Sequence, residues 1–159
     1  FHLLIAVFLL QPLLKLNCEI LRRIETEGIQ IEGTTVPKGS LEQVVQRALA
    51  EDNAHLRHES LEHALRTLAA QQDAPFLVAL DDIQAFFMTS KYRDPDFVPL
   101  EAYELAVPRA LLELVLAPPK DKESGLQRGA VLTALSSTHA EFPPSTELLK
   151  ALQASTSCL

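Results

Sequence analysis

Two cysteines in 159 residues, Cys18 and Cys158, sit near opposite ends of the chain with no spacing pattern between them. That scarcity argues against a disulfide framework and a zinc site, and it fits a reducing compartment. Positive charge is also scarce. The chain has 14 Lys and Arg against 21 Asp and Glu, a formal net charge of −7. Such a chain is no general binder of polyanions, and contact with nucleic acid needs a local basic patch. The longest basic run is Arg22-Arg23. No apolar run approaches the roughly 20 residues that span a bilayer. The opening stretch, residues 1–10, is largely apolar but stops at Gln11-Pro12, and it lacks the positive start and small-residue cleavage site of a signal peptide. It reads instead as part of a fragment or a misassigned start, with the true amino-terminal part and any targeting peptide lying outside this sequence. No internal repeat is visible.

What remains is the composition of a soluble globular protein, 47% apolar and 22% charged, long enough for one domain or most of one. Leu13, Leu14, Leu16, Ile20, Leu21 and Ile24 predict a helix over residues 13–24 with Pro12 in its first turn. Ile29 and Ile31 flank Gln30 in a short extended piece, and residues 33–39 read as loop. Ser40 with Gln43 forms a capping-box pattern ahead of Leu41, Val44, Val45, Ala48 and Leu49. A further helix is expected over 58–70, with Leu61, Ala64, Leu65 and Leu68 inward. Another is expected over 100–117, started or kinked by Pro108. A short one follows Pro143-Pro144-Ser145.

The sharpest signal is Phe76-Leu77-Val78-Ala79-Leu80-Asp81-Asp82, a strand-length apolar run that ends in two carboxylates. Continuous apolar character suits a strand buried on both faces of a parallel sheet, and such sheets bind ligands beyond the carboxyl ends of their strands. In P-loop nucleotide hydrolases this is the Walker B arrangement, where the first acid holds Mg²⁺ and the second can orient or deprotonate water. The plain alternative is a buried strand running into a polar turn. A second strand candidate, residues 130–135, runs into Ser136, Ser137 and Thr138. It lies about fifty residues from the first, with a helix between, which is the layout of a parallel α/β sheet flanked by helices. Acids and hydroxyls would then share one rim.

Other constellations carry less. A P-loop is absent: in residues 33–40, Lys38 precedes Gly39 rather than following it, and Pro37 removes a backbone N–H. That stretch reads as a loop leading into the Ser40 cap. His55, His58 and His63 with Glu59 and Glu62 lack metal-ligand spacing and read as a solvated helix face. Ser137 and His139 have no third partner for nucleophilic catalysis. The segment Tyr92-Arg93-Asp94-Pro95-Asp96-Phe97 reads equally as a loop braced by an Arg–Asp pair or as a partner-binding loop.

Several of these stretches together resemble the death-associated protein 3 family, notably its fungal members, the GTP-binding proteins of the mitochondrial small ribosomal subunit. They are residues 76–82, Gln84-Ala85-Phe86-Phe87, and Ser90 through Phe97. Residues 36–41, 108–112 and 129–136 extend the likeness, which spans roughly residues 12–152. Residues 1–11 form an atypical apolar segment unlike the family. The resemblance implies that residues 12–159 are a partial P-loop NTPase-like domain of the AAA type, with its Walker A part upstream.

It implies GTP or GDP with Mg²⁺ in the full-length protein, and none bound tightly by this chain alone. Asp81 matches the family's Walker B acid, and no metal other than Mg²⁺ through Asp81 is expected. Asp82 and Ser137 match neighbouring rim positions. Tyr92, Arg93, Asp94 and Phe97 would form the partner loop. Other small-subunit ribosomal proteins are the implied partners, rRNA is a further candidate, and no membrane is involved. The implied location is the mitochondrial matrix, bound to the ribosome. The first functional expectation is a structural component with a nucleotide and little turnover. The alternative is a working AAA or signalling-type ATPase with Asp82 as base. Asp is one methylene shorter than the usual Glu, and a misplacement of about 1 Å can cost ~10²-fold in rate.

Overall fold

In the computed structural model, which describes residues 2–31, 34–116, 126–136, 146, 148–150 and 153, helices and short strands form two compact units, Phe1–Leu68 and Ala69–Leu159. The apolar opening and the helix expected over 13–24 are one element, α1 (His2–Arg23), so Pro12 lies inside a helix rather than at its start. Proline there removes a backbone bond at a cost of about 3 kcal/mol. Burial of Ala6 and Leu10 offsets part of that loss. A kink follows at Asn17 (φ −126°, ψ 18°), whose side-chain amide donates to the Leu13 carbonyl four residues back.

Beyond α1 the chain makes two small antiparallel pairs. β1 (Glu25–Thr26) pairs with β4 (Gly39–Ser40), and β2 (Ile29–Ile31) pairs with β3 (Thr34–Val36). The stretch expected as loop over 33–39 therefore carries strand at 34–36 and 39. Its hydrogen bonds are satisfied by partners that local sequence does not reveal. Ser40 caps α2 (Leu41–Ala50) with both halves of the capping box formed. Leu41, Val44, Val45 and Ala48 are buried, and α2 packs on α1. Arg22 on α1 holds Glu42 on α2 through two 2.9 Å bonds, which keeps that carboxyl below its usual range. α3 (Ala54–Ala69) starts earlier than expected because the Asn53 side chain accepts the Leu56 N–H. Leu61, Ala64, Leu65 and Leu68 are buried as the helical spacing predicts.

In the second unit, β5 (Phe76–Leu80) pairs directly and in parallel with β8 (Gly129–Thr133). The register runs from Phe76 opposite Gly129 to Leu80 opposite Thr133. Gly129 is required here. Its φ is +149°, and a Cβ would stand 1.8 Å from the Phe76 carbonyl oxygen. The expectation of burial on both faces is met on one only. Val78 is buried, whereas Leu77 and Leu132 on the opposite face are 61% and 58% exposed. The described residues contribute two strands to this sheet and leave that face bare.

Residues 92–97, read from sequence as a loop, form the end of a hairpin of β6 (Thr89–Arg93) and β7 (Pro99–Glu101), preceded by a 3-10 turn, Ile83–Phe87. The helix expected over 100–117 is shortened to α4 (Ala106–Leu116). β7 and a second 3-10 turn, Ala102–Glu104, take the earlier residues, and Glu101 and Glu104 cap that turn reciprocally. Pro108 falls in the first turn of α4, where its missing N–H costs least. Ile83, Leu112 and Leu148 form a buried cluster, with Phe86, Phe87, Tyr103 and Val115 packed against it. The helix expected after Pro143-Pro144-Ser145 begins outside the described residues.

Candidate functional site

Asp81 and Asp82 leave the carboxyl end of β5, where a parallel strand meets its ligand rim. Asp81 is exposed, and its Oδ1 accepts the N–H of Asp82 at 2.9 Å. Asp82 sits in the left-handed region at φ 50°, a conformation that Asp adopts more readily than most residues. The chain ends leaving the two strands stay bonded to each other. Ala134 N–H donates to the Leu80 carbonyl at 2.8 Å, and Ile83 N–H donates to the Ala134 carbonyl at 3.1 Å.

Gln84 ties this rim together. It is fully buried, its Nε2 donates to Asp82 Oδ1 at 3.0 Å, and its Oε1 accepts the Ser136 N–H at 3.4 Å. Acid and hydroxyl strand ends are thus joined through one buried amide. Sequence reasoning assigned Gln84 no role, although a lone amide inside Ile83-Gln84-Ala85-Phe86-Phe87 is the kind of signal that a buried polar bridge leaves. Ser137, the expected rim hydroxyl, lies outside the described residues, and its neighbour Ser136 is the nearest described position.

The second candidate, Tyr92, Arg93, Asp94 and Phe97, lies at the β6–β7 hairpin end. Arg93 does not pair with Asp94. Its guanidinium donates to the Phe97 carbonyl at 2.8 Å, and Asp94 Oδ1 accepts the N–H groups of Asp96 and Val98 at 2.9 and 2.8 Å. Tyr92 is half-buried, with its N–H on Ser90 Oγ at 3.1 Å. The brace is therefore side chain to backbone.

Among the described residues no group of three or more His, Cys, Asp or Glu is placed to hold a metal. His63 instead meets Thr26 on β1 through Nε2, and Thr67 stands 3.5 Å away. Thr26 donates its hydroxyl to the Glu27 carbonyl, which leaves its oxygen to accept an Nε2–H of His63. Burial, then the nearby Arg66 charge, push this imidazole below its ordinary value. A separate cavity of about 730 Å³ opens beside α4, lined by Phe87, Leu100, Tyr103, Arg109 and Leu112, and neither Asp81 nor Asp82 lines it.

The sequence profile described as mitochondrial ribosomal death-associated protein 3 matches residues 5–157. No curated protein matches the chain. The match takes in the Asp81–Asp82 rim, both parallel strands and the hairpin, and it begins within the apolar opening. No helix among the described residues is long and apolar enough to cross a membrane. With nearly its whole length matched, the chain belongs to the mitochondrial ribosomal death-associated protein 3 family, a family of ribosomal proteins of the mitochondrion.

Proposed function

We propose that this chain is part of a structural component of the mitochondrial small ribosomal subunit, bound to the ribosome in the matrix and acting in mitochondrial translation. The full-length protein retains GTP or GDP with Mg²⁺. The observation that carries the reading is Asp81, an exposed acid at the carboxyl end of a parallel strand, within a chain that matches the family on both sides of it.

The donor chemistry fits the ion. Beyond the single bond that Asp81 Oδ1 accepts from the Asp82 N–H, no other partner occupies this carboxylate among the described residues. A hard oxygen ligand of this kind suits Mg²⁺, which keeps several of its waters and uses one or two carboxylates. Bound Mg²⁺ would neutralise charge on the nucleotide phosphates. Asp81 is the residue that would hold the hydrated ion, and Ser137, outside the described residues, is proposed from the sequence alone as a further oxygen for the same ligand. The sequence supplies no glycine-rich lysine loop to cradle phosphates, so tight retention belongs to the full-length protein.

Asp82 favours retention over turnover. Its Oδ1 is committed to Gln84 Nε2 and its backbone to a left-handed turn, which is a poor position for a base that must reach a water. A chain of net charge −7 also favours proteins of the subunit over rRNA as its main contacts.

The test compares Asp81→Asn with Asp82→Asn in the full-length protein, reading both bound nucleotide and incorporation into the small subunit. Asp81→Asn is expected to lower both. Asp82→Asn keeps the oxygen that Gln84 bonds and is expected to change little. Loss of assembly in Asp82→Asn alone, with nucleotide still bound, would mark a working NTPase and reject the structural reading.

A further inference from the structure

The hairpin end spends backbone strain on an exposed aromatic. Phe97 has φ 64°, a left-handed conformation that costs a bulky residue and suits glycine or asparagine. It is nevertheless 77% exposed, beside Val98 at 55%, so burial within this chain does not repay the strain. The conformation is pinned from several sides. Phe97 N–H donates to the Asp94 carbonyl at 3.0 Å, Asp94 N–H donates to the Val98 carbonyl at 3.0 Å, and Arg93 holds the Phe97 carbonyl. Asp94 Oδ1 takes the N–H groups of Asp96 and Val98. A strained residue over-determined by its surroundings is the pattern of a preorganised contact.

We infer that Phe97 is a preformed anchor that enters an apolar pocket rimmed by Lys or Arg on a neighbouring protein of the ribosomal subunit. The inference rests on the ribosomal reading above and names the chemistry of one contact within it. Aromatic side chains dominate protein contacts when a pocket excludes water around them, and a rigid loop binds without losing freedom. Charge selects the class of partner. Residues 91–98 carry Lys91 and Arg93 against Asp94 and Asp96. Arg93 is held on the Phe97 carbonyl and Asp94 accepts backbone N–H groups inside the loop, which leaves exposed Asp96 as the carboxylate next to Phe97 in the chain. That carboxylate attracts a basic protein rim, and a chain of net charge −7 disfavours stacking on a base flanked by phosphates.

The test uses full-length protein carrying photoreactive p-benzoylphenylalanine at position 97, expressed in the source cells, with small subunits isolated by sedimentation before irradiation. The expected product joins position 97 to a peptide of another subunit protein whose pocket is apolar with Lys or Arg at its edge. Sedimentation with the subunit but cross-linking to rRNA, to an acidic surface, or to nothing overturns the inference and leaves the ribosomal reading standing. Failure to sediment with the subunit overturns both.

Phe97→Gly separates anchoring from folding. Glycine favours the same backbone, so its thermal midpoint is expected to equal or exceed the parent's, while retention in salt-washed subunits falls at least tenfold. Asp96→Lys is expected to reduce retention severalfold by reversing the charge against the basic rim. Full retention of Phe97→Gly overturns the anchor.

Discussion

The α1–α2 region and the β5–β8 pair draw on similarly apolar stretches and end differently. Leu21 on α1 and Leu41 on α2 are fully buried, whereas β5 buries Val78 and leaves Leu77 outside, with Leu132 of β8 beside it on the open face. Hydrophobicity is not what separates them. A helix presents one apolar stripe, and a single partner helix covers it. A strand that is apolar at every position has two faces and needs a layer on each. The helical region finds its one partner inside the described residues, while the strand pair finds one layer of two. The Asp81 rim thus stands at the end of a sheet whose second face the described residues leave open.

This contrast breaks first under core truncation. Leu41→Ala, at a fully buried position on α2, is expected to cost about 2–5 kcal/mol, whereas Leu77→Ala should stay within about 0.5 kcal/mol. Urea unfolding followed by circular dichroism measures both. Equal losses would mean that the outer face of β5 is covered in solution.

A smaller effect tests local closure of the helical region. Ser40→Ala removes the hydroxyl that accepts the Gln43 N–H and should cost about 1 kcal/mol. A change below a few tenths would show that the rest of the box and the β1–β4 pair hold the start of α2 without it.

The smallest expected effect is a pH dependence in the first unit. His63 has a folded value below its ordinary 6.5 because burial, and then Arg66, disfavour the charged ring. The unfolded chain therefore binds a proton that the folded one refuses, and stability falls as pH drops below about 6.5 toward the folded value. Thermal midpoints at pH 7.5 and 5.5 should decline on acidification, and His63→Gln should flatten the decline. A steeper decline in the variant would reverse the sign argued here.

The legible parts of this chain were those with a single local cause. Ser40 and Gln43 announced the start of α2, and the Phe76–Leu80 run announced a strand whose parallel partner, residues 129–133, sits in direct register with it. Pro108 correctly marked a helix start, but the residues before it were misread because Glu101 and Glu104 close a turn of their own. The hairpin in 89–101 was missed since its strands are polar on one side and short, with the pairing set by the Asp94 brace. At the candidate site the acids were legible as a strand end. Gln84 was not, because its role depends on Asp82 and Ser136 arriving from two strands.

Sequence by itself determined the helix stripes, the caps, the parallel strand pair and the acid pair that ends one strand, because each follows from spacing or residue chemistry over a few positions. Tertiary structure decided the sheet face that the described residues leave open, the helical path through Pro12, the burial that lowers the His63 pKa and the left-handed placement of Asp82 and Phe97. Those features depend on which distant groups supply burial and hydrogen bonds, and a one-dimensional pattern does not encode partners separated by tens of residues.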